Sequence, residues 1–328
     1  MPSSSNLFTF DAEAWRREPT PAFDAFLANH RHKGLPLRKS SFNIYRGMFK
    51  RLLEWLQAYG LELHDLDAPV LEGFLASRQL APETRHRYLL VFTDLYRHLA
   101  LLRDEENNPA YDLLTAERAP ERPEPEALLP EETARVLQQL REQSSDKWKD
   151  QRFECMVCVL LDAALRSAEL LKLRLKDVAR GDTIWVAPQK PRPERVVPLS
   201  GLGKTALRAW LQQRRDLAIP GELVFPGNTA GAPLSASTLF RQTRALLEAA
   251  EVKRRYEGPT LLRNTRAAAW LSQQHFLKVQ KWLGHELERT TRQLEVVSAL
   301  WSGSQLLEEP LWAASPAQQA SGAASPAA

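Results

Sequence analysis

Hydrophobic positions recur at helical spacing over most of this chain. Phe23, Phe26 and Leu27 open one amphipathic face. Tyr45, Met48, Phe49, Leu52, Leu53 and Leu56 follow at i, i+3, i+4 and i+7, the spacing of a helix packed on one side. Val70, Leu71, Phe74 and Leu75 predict a third helix, and Tyr88, Leu89, Phe92, Leu95, Tyr96 and Leu99 a fourth. Gly60 and Pro82 punctuate the series. Residues 21–114 are therefore expected to form a small bundle of four or five helices. Residues 1–20 are polar and expected to be flexible.

Residues 115–130 carry four prolines among alternating charges, a composition that favours extended chain over a packed core. This is the expected domain boundary. Pro130-Glu131-Glu132 then opens a helix with acidic residues near its positive end, and a mostly helical second domain is expected over 131–302. Two β-rich runs interrupt it. Thr183–Val186 and Arg195–Leu199 flank Pro188–Pro193, which predicts a small sheet whose exposed turn carries Lys190 and Arg192. In the tail, 303–328, an apolar cluster of Leu306, Leu307, Leu311 and Trp312 can dock on its own domain or on a neighbouring subunit. The Ala/Ser/Pro/Gln-rich stretch from Ala313 is expected to be disordered.

Composition adds limits. At 328 residues, 44% hydrophobic and 26% charged, the chain is long enough for two domains with ordinary soluble character. A net charge of +4 permits nucleic-acid binding without demonstrating it, because clustering matters more than the total. No apolar run approaches the ~18–20 residues of a membrane span. The N-terminus lacks a basic segment followed by an apolar core, so no signal peptide is expected. The expected location is cytoplasmic, on the nucleoid if the protein binds DNA. Cys155 and Cys158 have C-x-x-C spacing, but two further zinc ligands are not evident nearby, and two thiols buried on a core helix is the simpler reading. With no phosphate-cradling Gly-rich loop and no ligand cluster, neither metal nor cofactor is expected.

Four separated segments carry candidate chemistry. Residues 164–173 read Ala-Leu-Arg-Ser-Ala-Glu-Leu-Leu-Lys-Leu, and 189–199 read Gln-Lys-Pro-Arg-Pro-Glu-Arg-Val-Val-Pro-Leu. Residues 259–265 read Pro-Thr-Leu-Leu-Arg-Asn-Thr, and 283–294 read Leu-Gly-His-Glu-Leu-Glu-Arg-Thr-Thr-Arg-Gln-Leu. In this order they resemble the G-L-R-x-S-E-L, G-K-G-x-K-x-R-x-V-P-L, P-H-x-L-R-H-T and L-G-H-x-x-x-x-T-T-x-x-Y patterns of the tyrosine recombinases, the phage integrase family. Asn107-Asn108-Pro109 resembles the N-P that commonly closes that family's core-binding domain. The resemblance spans roughly residues 20–300.

It implies a mainly α, Xer-like two-domain architecture: an N-terminal helical core-binding (SAM-like) bundle and a mostly helical catalytic-type domain with a small β-sheet. It further implies that Arg166 and Arg263 clamp a phosphate, that Lys190 is the hairpin lysine acting as general acid, and that His285 adds a donor. Several positions depart from the pattern, and three of them bear on the chemistry. Ala164 replaces a usual Gly, Thr260 replaces a histidine, and Leu294 replaces the nucleophilic tyrosine. The last tyrosine in the chain is Tyr256. Arginines that neutralise a phosphate retain value in a protein that never cleaves, whereas the nucleophile alone forms the covalent bond. Thr290, Thr291 and Ser298 carry hydroxyls far less acidic than a phenol.

The implied function is sequence-specific binding of double-stranded DNA without self-sufficient cleavage, as an architectural, regulatory or accessory factor in DNA recombination or integration. The protein would act as a homo-oligomer or beside an active recombinase subunit. The alternative is an active recombinase that takes its nucleophile from a partner subunit, and a third reading is a helical interaction protein that no longer binds DNA. Candidate DNA contacts in the bundle are Arg38, Lys39, Arg46, Lys50 and Arg51 along one helical side, then Arg85, His86 and Arg87. In the second domain they are Arg192 and the run Lys253, Arg254, Arg255. Thr260 can bond a phosphate or cap a helix beginning near Leu261, and the cap is the favoured reading.

Overall fold

The computed structural model describes residues 11–308, apart from 33, 104–106, 122, 190–191 and 305. The chain divides into two compact units, with the boundary between Arg122 and Pro123.

In the first unit, α1 (Ala12–Arg17), α2 (Pro19–Asn29), α3 (Lys39–Ala58), α4 (Ala68–Ser77), α5 (Pro82–Arg103) and α6 (Pro109–Ala116) make a helical bundle. A two-stranded antiparallel ribbon, β1 (Arg31–His32) with β2 (Leu35–Pro36), lies between α2 and α3. The predicted stripes are the buried faces: Met48, Phe49, Leu52 and Leu56 on α3, and Leu71, Phe74 and Leu75 on α4. Each such side chain contributes about 1.5–3 kcal/mol on burial. Helix starts follow local chemistry. The Asp67 side chain accepts the Val70 amide at 2.8 Å, and the Asn108 side chain accepts that of Tyr111 at 3.1 Å, with Pro109 at the first helical position.

Two boundaries differ from the sequence reading. Residues 11–20 are largely helical, in α1 and the start of α2, rather than flexible, because Trp15, 1% exposed, packs edge-on against Phe49. A single tryptophan anchors what polarity alone marked as loose. The proline-rich stretch is also shorter than expected, since α6 continues through Ala116.

The second unit is built around α8 (Trp148–Ala163), buried on almost every side from Arg152 onward. Against it pack α10 (Gly201–Asp216) and α12 (Pro259–Gln273). Around these lie α7 (Pro130–Glu142), α9 (Ser167–Leu170), α11 (Ala236–Ala249), α13 (Phe276–Leu283), α14 (Glu288–Arg292) and α15 (Glu295–Ser298). Strands β3 (Thr183–Val186) and β4 (Arg195–Pro198) pair antiparallel, Thr183 opposite Pro198 and Val186 opposite Arg195, close to the predicted sheet. Cys155 and Cys158 are free, buried thiols on α8. Leu307 docks on its own unit, its carbonyl accepting the Ser200 hydroxyl at 2.7 Å. Leu311, Trp312 and everything from Ala313 lie outside the described residues. No described helix is long and apolar enough to cross a membrane.

Candidate functional site

Two left-handed turns create the site. Helix α8 ends at Ala164, with φ +47°, and α13 ends at Gly284, with φ +62°. Such residues close helices by turning the chain sharply away. Here they aim the carbonyls of Ala164 and Leu283 at the Arg263 guanidinium, which rises from the second turn of α12. Arg263 Nη1 donates to Ala164 O, and Nη2 donates to Leu283 O at 2.8 Å. Glycine at 284 meets a second demand: a Cβ there would lie 3.1 Å from Arg195 Cδ. Ala164 adopts the same backbone region with a side chain, a conformation costing on the order of 1 kcal/mol.

The turn after Ala164 presents Arg166 just ahead of α9. Its backbone amide donates to Glu169 Oε2 at 2.8 Å, its Nη1 donates to Glu169 Oε1 at 2.8 Å, and its Nη2 reaches Gly284 O at 3.2 Å. Glu169 also receives both Nη groups of Arg195, at 2.9 and 2.7 Å, while Arg195 Nε donates to Trp282 O at 2.7 Å. Burial alone would raise the Glu169 carboxyl, but the hydrogen bonds and charge of Arg195 and Arg166 outweigh it and hold it at about 2. Glu169 therefore stays ionised and fixes two arginines in one plane of action.

The cluster remains short of negative charge. Arg166, Arg195 and Arg263 are three guanidinium groups against one carboxylate, Glu169. Burial, then the neighbouring charge of Arg166, pulls Arg263 down to about 9. His285 completes the group. Its Nε2 lies 3.2 Å from Arg263 Nη2 and its Nδ1 3.0 Å from Thr291 Oγ1. A guanidinium only donates, so Nε2 accepts and the ring proton sits on Nδ1, donating to the threonine. Burial first, then the charges of Arg263 and Arg166, depress His285 to about 3, so it is neutral at pH 7. Arg166 has three N–H groups not engaged in these bonds and Arg263 has two. An arrangement with surplus positive charge and unused donors is built to take an oxyanion.

Of the sequence-predicted residues, Arg166, Arg263 and His285 come together here. Lys190 lies outside the described residues, and Arg192 is half-buried at the base of the β3–β4 turn, its backbone bridging to Gln189. Thr260 is not a cap: α12 starts earlier, at Pro259 with Gly258 as N-cap, so Thr260 sits exposed in the first turn. Leu294 is 4% exposed and belongs to the hydrophobic core of the unit. Thr291 is fully buried and holds His285, the Ser298 hydroxyl donates to Glu295 O at 2.8 Å, and Thr290 is exposed.

The remaining basic candidates separate into two groups. Lys39, Arg46 and Lys50 are exposed along one side of α3, with Arg46 paired to Asp24 at 2.9 Å and Lys50 to Glu54 at 3.5 Å, and Arg38 is exposed just before that helix. Arg87, Lys253 and Arg255 are also exposed. Others are tied into the fold. Arg51 Nε donates to the Tyr88 hydroxyl at 2.8 Å. Arg254 pairs with Glu132 at the start of α7 at 2.5 Å. Arg85, expected to contact a DNA backbone, instead bonds Glu117 and Glu72, both at 2.5 Å, and these bonds raise its pKa well above the ordinary value. It pins α5 to α4 and to the end of α6.

Glu169 and Arg195 complete the site without having been singled out from the sequence, and Thr291, noted there only for its hydroxyl, completes it as the partner of His285. Each lies inside a quoted motif, so the signal was there. The structure adds that they position the other groups.

The phage integrase family model matches residues 127–294, about half of the chain. Among curated proteins, the tyrosine recombinase XerD of Caulobacter vibrioides is 27% identical over 246 residues, covering 73% of this chain and 79% of that protein. The tyrosine recombinase XerC of Vibrio atlanticus is 30% identical over 243 residues, 74% of each. Among solved structures, the XerH site-specific recombinase bound to a palindromic difH substrate has a TM-score of 0.64 at 21% identity, covering 79% of this chain and 76% of that one. A lambda integrase dimer bound to a COC' core site has a TM-score of 0.65 at 16% identity, covering 87% and 77%. Matching motifs, relatives and fold agree, and the chain belongs to the phage integrase, or tyrosine recombinase, family.

Proposed function

We propose that this protein binds double-stranded DNA sequence-specifically, seating one backbone phosphate on Arg166 and on Arg263, whose guanidinium His285 holds, and does not break the strand by itself. The observation that carries this is the contrast between the two halves of the site. The positive cluster is assembled and short of an anion, while Leu294 is a core residue at the nucleophile position of the motif. Of the nearby hydroxyls, those of Thr291 and Ser298 are bonded within the fold, and that of Thr290, though exposed, is far less acidic than a phenol. The protein would then serve as an architectural, regulatory or accessory component of a recombination or integration complex, with copies of itself or with an active recombinase.

Titration of a DNA duplex at several salt concentrations tests the reading. Arg166→Ala combined with Arg263→Ala should weaken binding by about 2–4 kcal/mol and lower the slope of log K against log salt by about 1. Melting temperatures measured in parallel establish that the variant is folded. Unchanged affinity in a folded variant would remove the clamp from the account.

A further inference from the structure

A second feature lies immediately beside the clamp. A cavity of about 830 Å³ opens between the chain start of the second unit, the first turn of α11 and the loop leading into α12. Ser167, next to Arg166, forms part of its wall, and so do Pro259 and Thr260, from the same helix that carries Arg263. Its lining is mainly apolar and includes two aromatic rings, Phe240 at 46% exposure and Tyr256 at 49%. The two rings give the site beside the clamp an open apolar wall. The Arg255 guanidinium lies 5.5 Å from the centre of the Tyr256 ring.

Phe240 is held in place. A Cβ on Gly258 would stand 2.7 Å from its ring, so the ring rests directly on the glycine backbone. Ser237, Phe240, Arg241 and Arg244 are spaced three and four residues apart along α11 and form one exposed face. Arg244 is paired with Glu257 at 3.3 Å, and the Glu126 carboxylate accepts the Tyr256 amide at 3.3 Å, which leaves the rim a mixture of satisfied charges and arginines. An immobilised apolar ring flanked by arginines and continuous with a phosphate seat fits a duplex better than an apolar peptide.

We infer that Phe240 is a specificity-determining residue that reads the 5-methyl group of a thymine close to the phosphate held by Arg166 and Arg263. Thymine displays that methyl in the major groove, and apolar side chains recognise it there. The inference rests on the DNA-binding reading above.

The test uses the full chain and a duplex selected by it from a random-sequence pool, prepared once with thymine and once with uracil, which lacks only the methyl. The wild-type protein should bind the uracil duplex about fourfold more weakly for each methyl buried. Phe240→Ala should bind the two duplexes equally, and Phe240→Leu, which keeps an apolar surface, should retain part of the difference. Equal, salt-dependent binding of both duplexes by the wild type overturns the inference and leaves the DNA-binding reading standing. A methyl preference that persists in folded Phe240→Ala also overturns it. So does a change in oligomeric mass in that variant without a change in methyl preference, because the cavity would then be a protein contact. If no duplex is selected or bound at low salt, the DNA-binding reading itself has failed.

Discussion

Replacing Leu294 with tyrosine restores the family's motif on paper, and the structure predicts that the restored side chain will not fit. Leu294 is 4% exposed and sits in the turn between α14 and α15, inside the core of the second unit. A tyrosine has two options there. If its ring stays inside, it overpacks the site, at about 1–3 kcal/mol, and buries a hydroxyl that adds about 1–3 kcal/mol where it finds no partner. If the ring swings to solvent, it leaves a leucine-sized void, at about 2–5 kcal/mol. With the hydroxyl unpartnered, both routes destabilise by at least about 2 kcal/mol. A domain of this size loses roughly 2–4 °C per kcal/mol, so the melting temperature should fall by roughly 4–8 °C or more. Leu294→Met conserves volume and should cost less than about 1.5 kcal/mol. Calorimetry or thermal fluorescence on the two variants and the parent measures the difference. A Leu294→Tyr protein that melts with the parent would mean that position 294 has room for a phenol, and the argument from burial would be wrong.

Two further predictions follow from the environments of titratable groups. His285 has an ordinary pKa of 6.5 in the unfolded chain and about 3 in the fold, so the unfolded chain takes up its proton first on acidification. DNA-free protein should therefore lose stability as pH falls from 6.5 towards 3, on the order of 2 kcal/mol by pH 5. Glu169, held at about 2 against an ordinary 4.5, steepens the loss below pH 4.5. His285→Gln should flatten the upper part of that profile, and a melting temperature equally steep in parent and variant between pH 7 and 5 would contradict the assignment. Burial pushes both Cys155 and Cys158 well up from the ordinary thiol range. Neither should react with a thiol reagent in the native protein at pH 8, while both should in denaturant; rapid native labelling would show that α8 is not the closed core described above.

How far the sequence could be read depended on whether a residue's role was set locally. The α3 and α4 stripes rest on a periodicity of 3.6 and the β3–β4 pair on two β-rich runs flanking a proline-rich turn, signals that survive in one dimension, and the structure keeps them. Burial of Trp15 depends on Phe49, more than thirty residues on, and a polar segment with one tryptophan gives no sign of that partner. Arg85 shows the same limit from the other side. Its basic neighbourhood suggests a DNA contact, yet its carboxylate partners are 13 and 32 residues away. The motifs brought Arg166, Arg263 and His285 to notice, but not the two left-handed turns that let carbonyls hold Arg263. Ala164 hid the first turn, because the glycine that would signal it is missing.

The central claim is that the protein grips a phosphodiester without forming a bond to it. Purified protein should be mixed with fragmented genomic DNA and captured, and the bound DNA split between a buffer wash and an SDS wash. One sequence should be enriched after the buffer wash and fully released by SDS. Enrichment that survives SDS would contradict it, because a covalent protein–DNA bond would then form without a tyrosine at position 294.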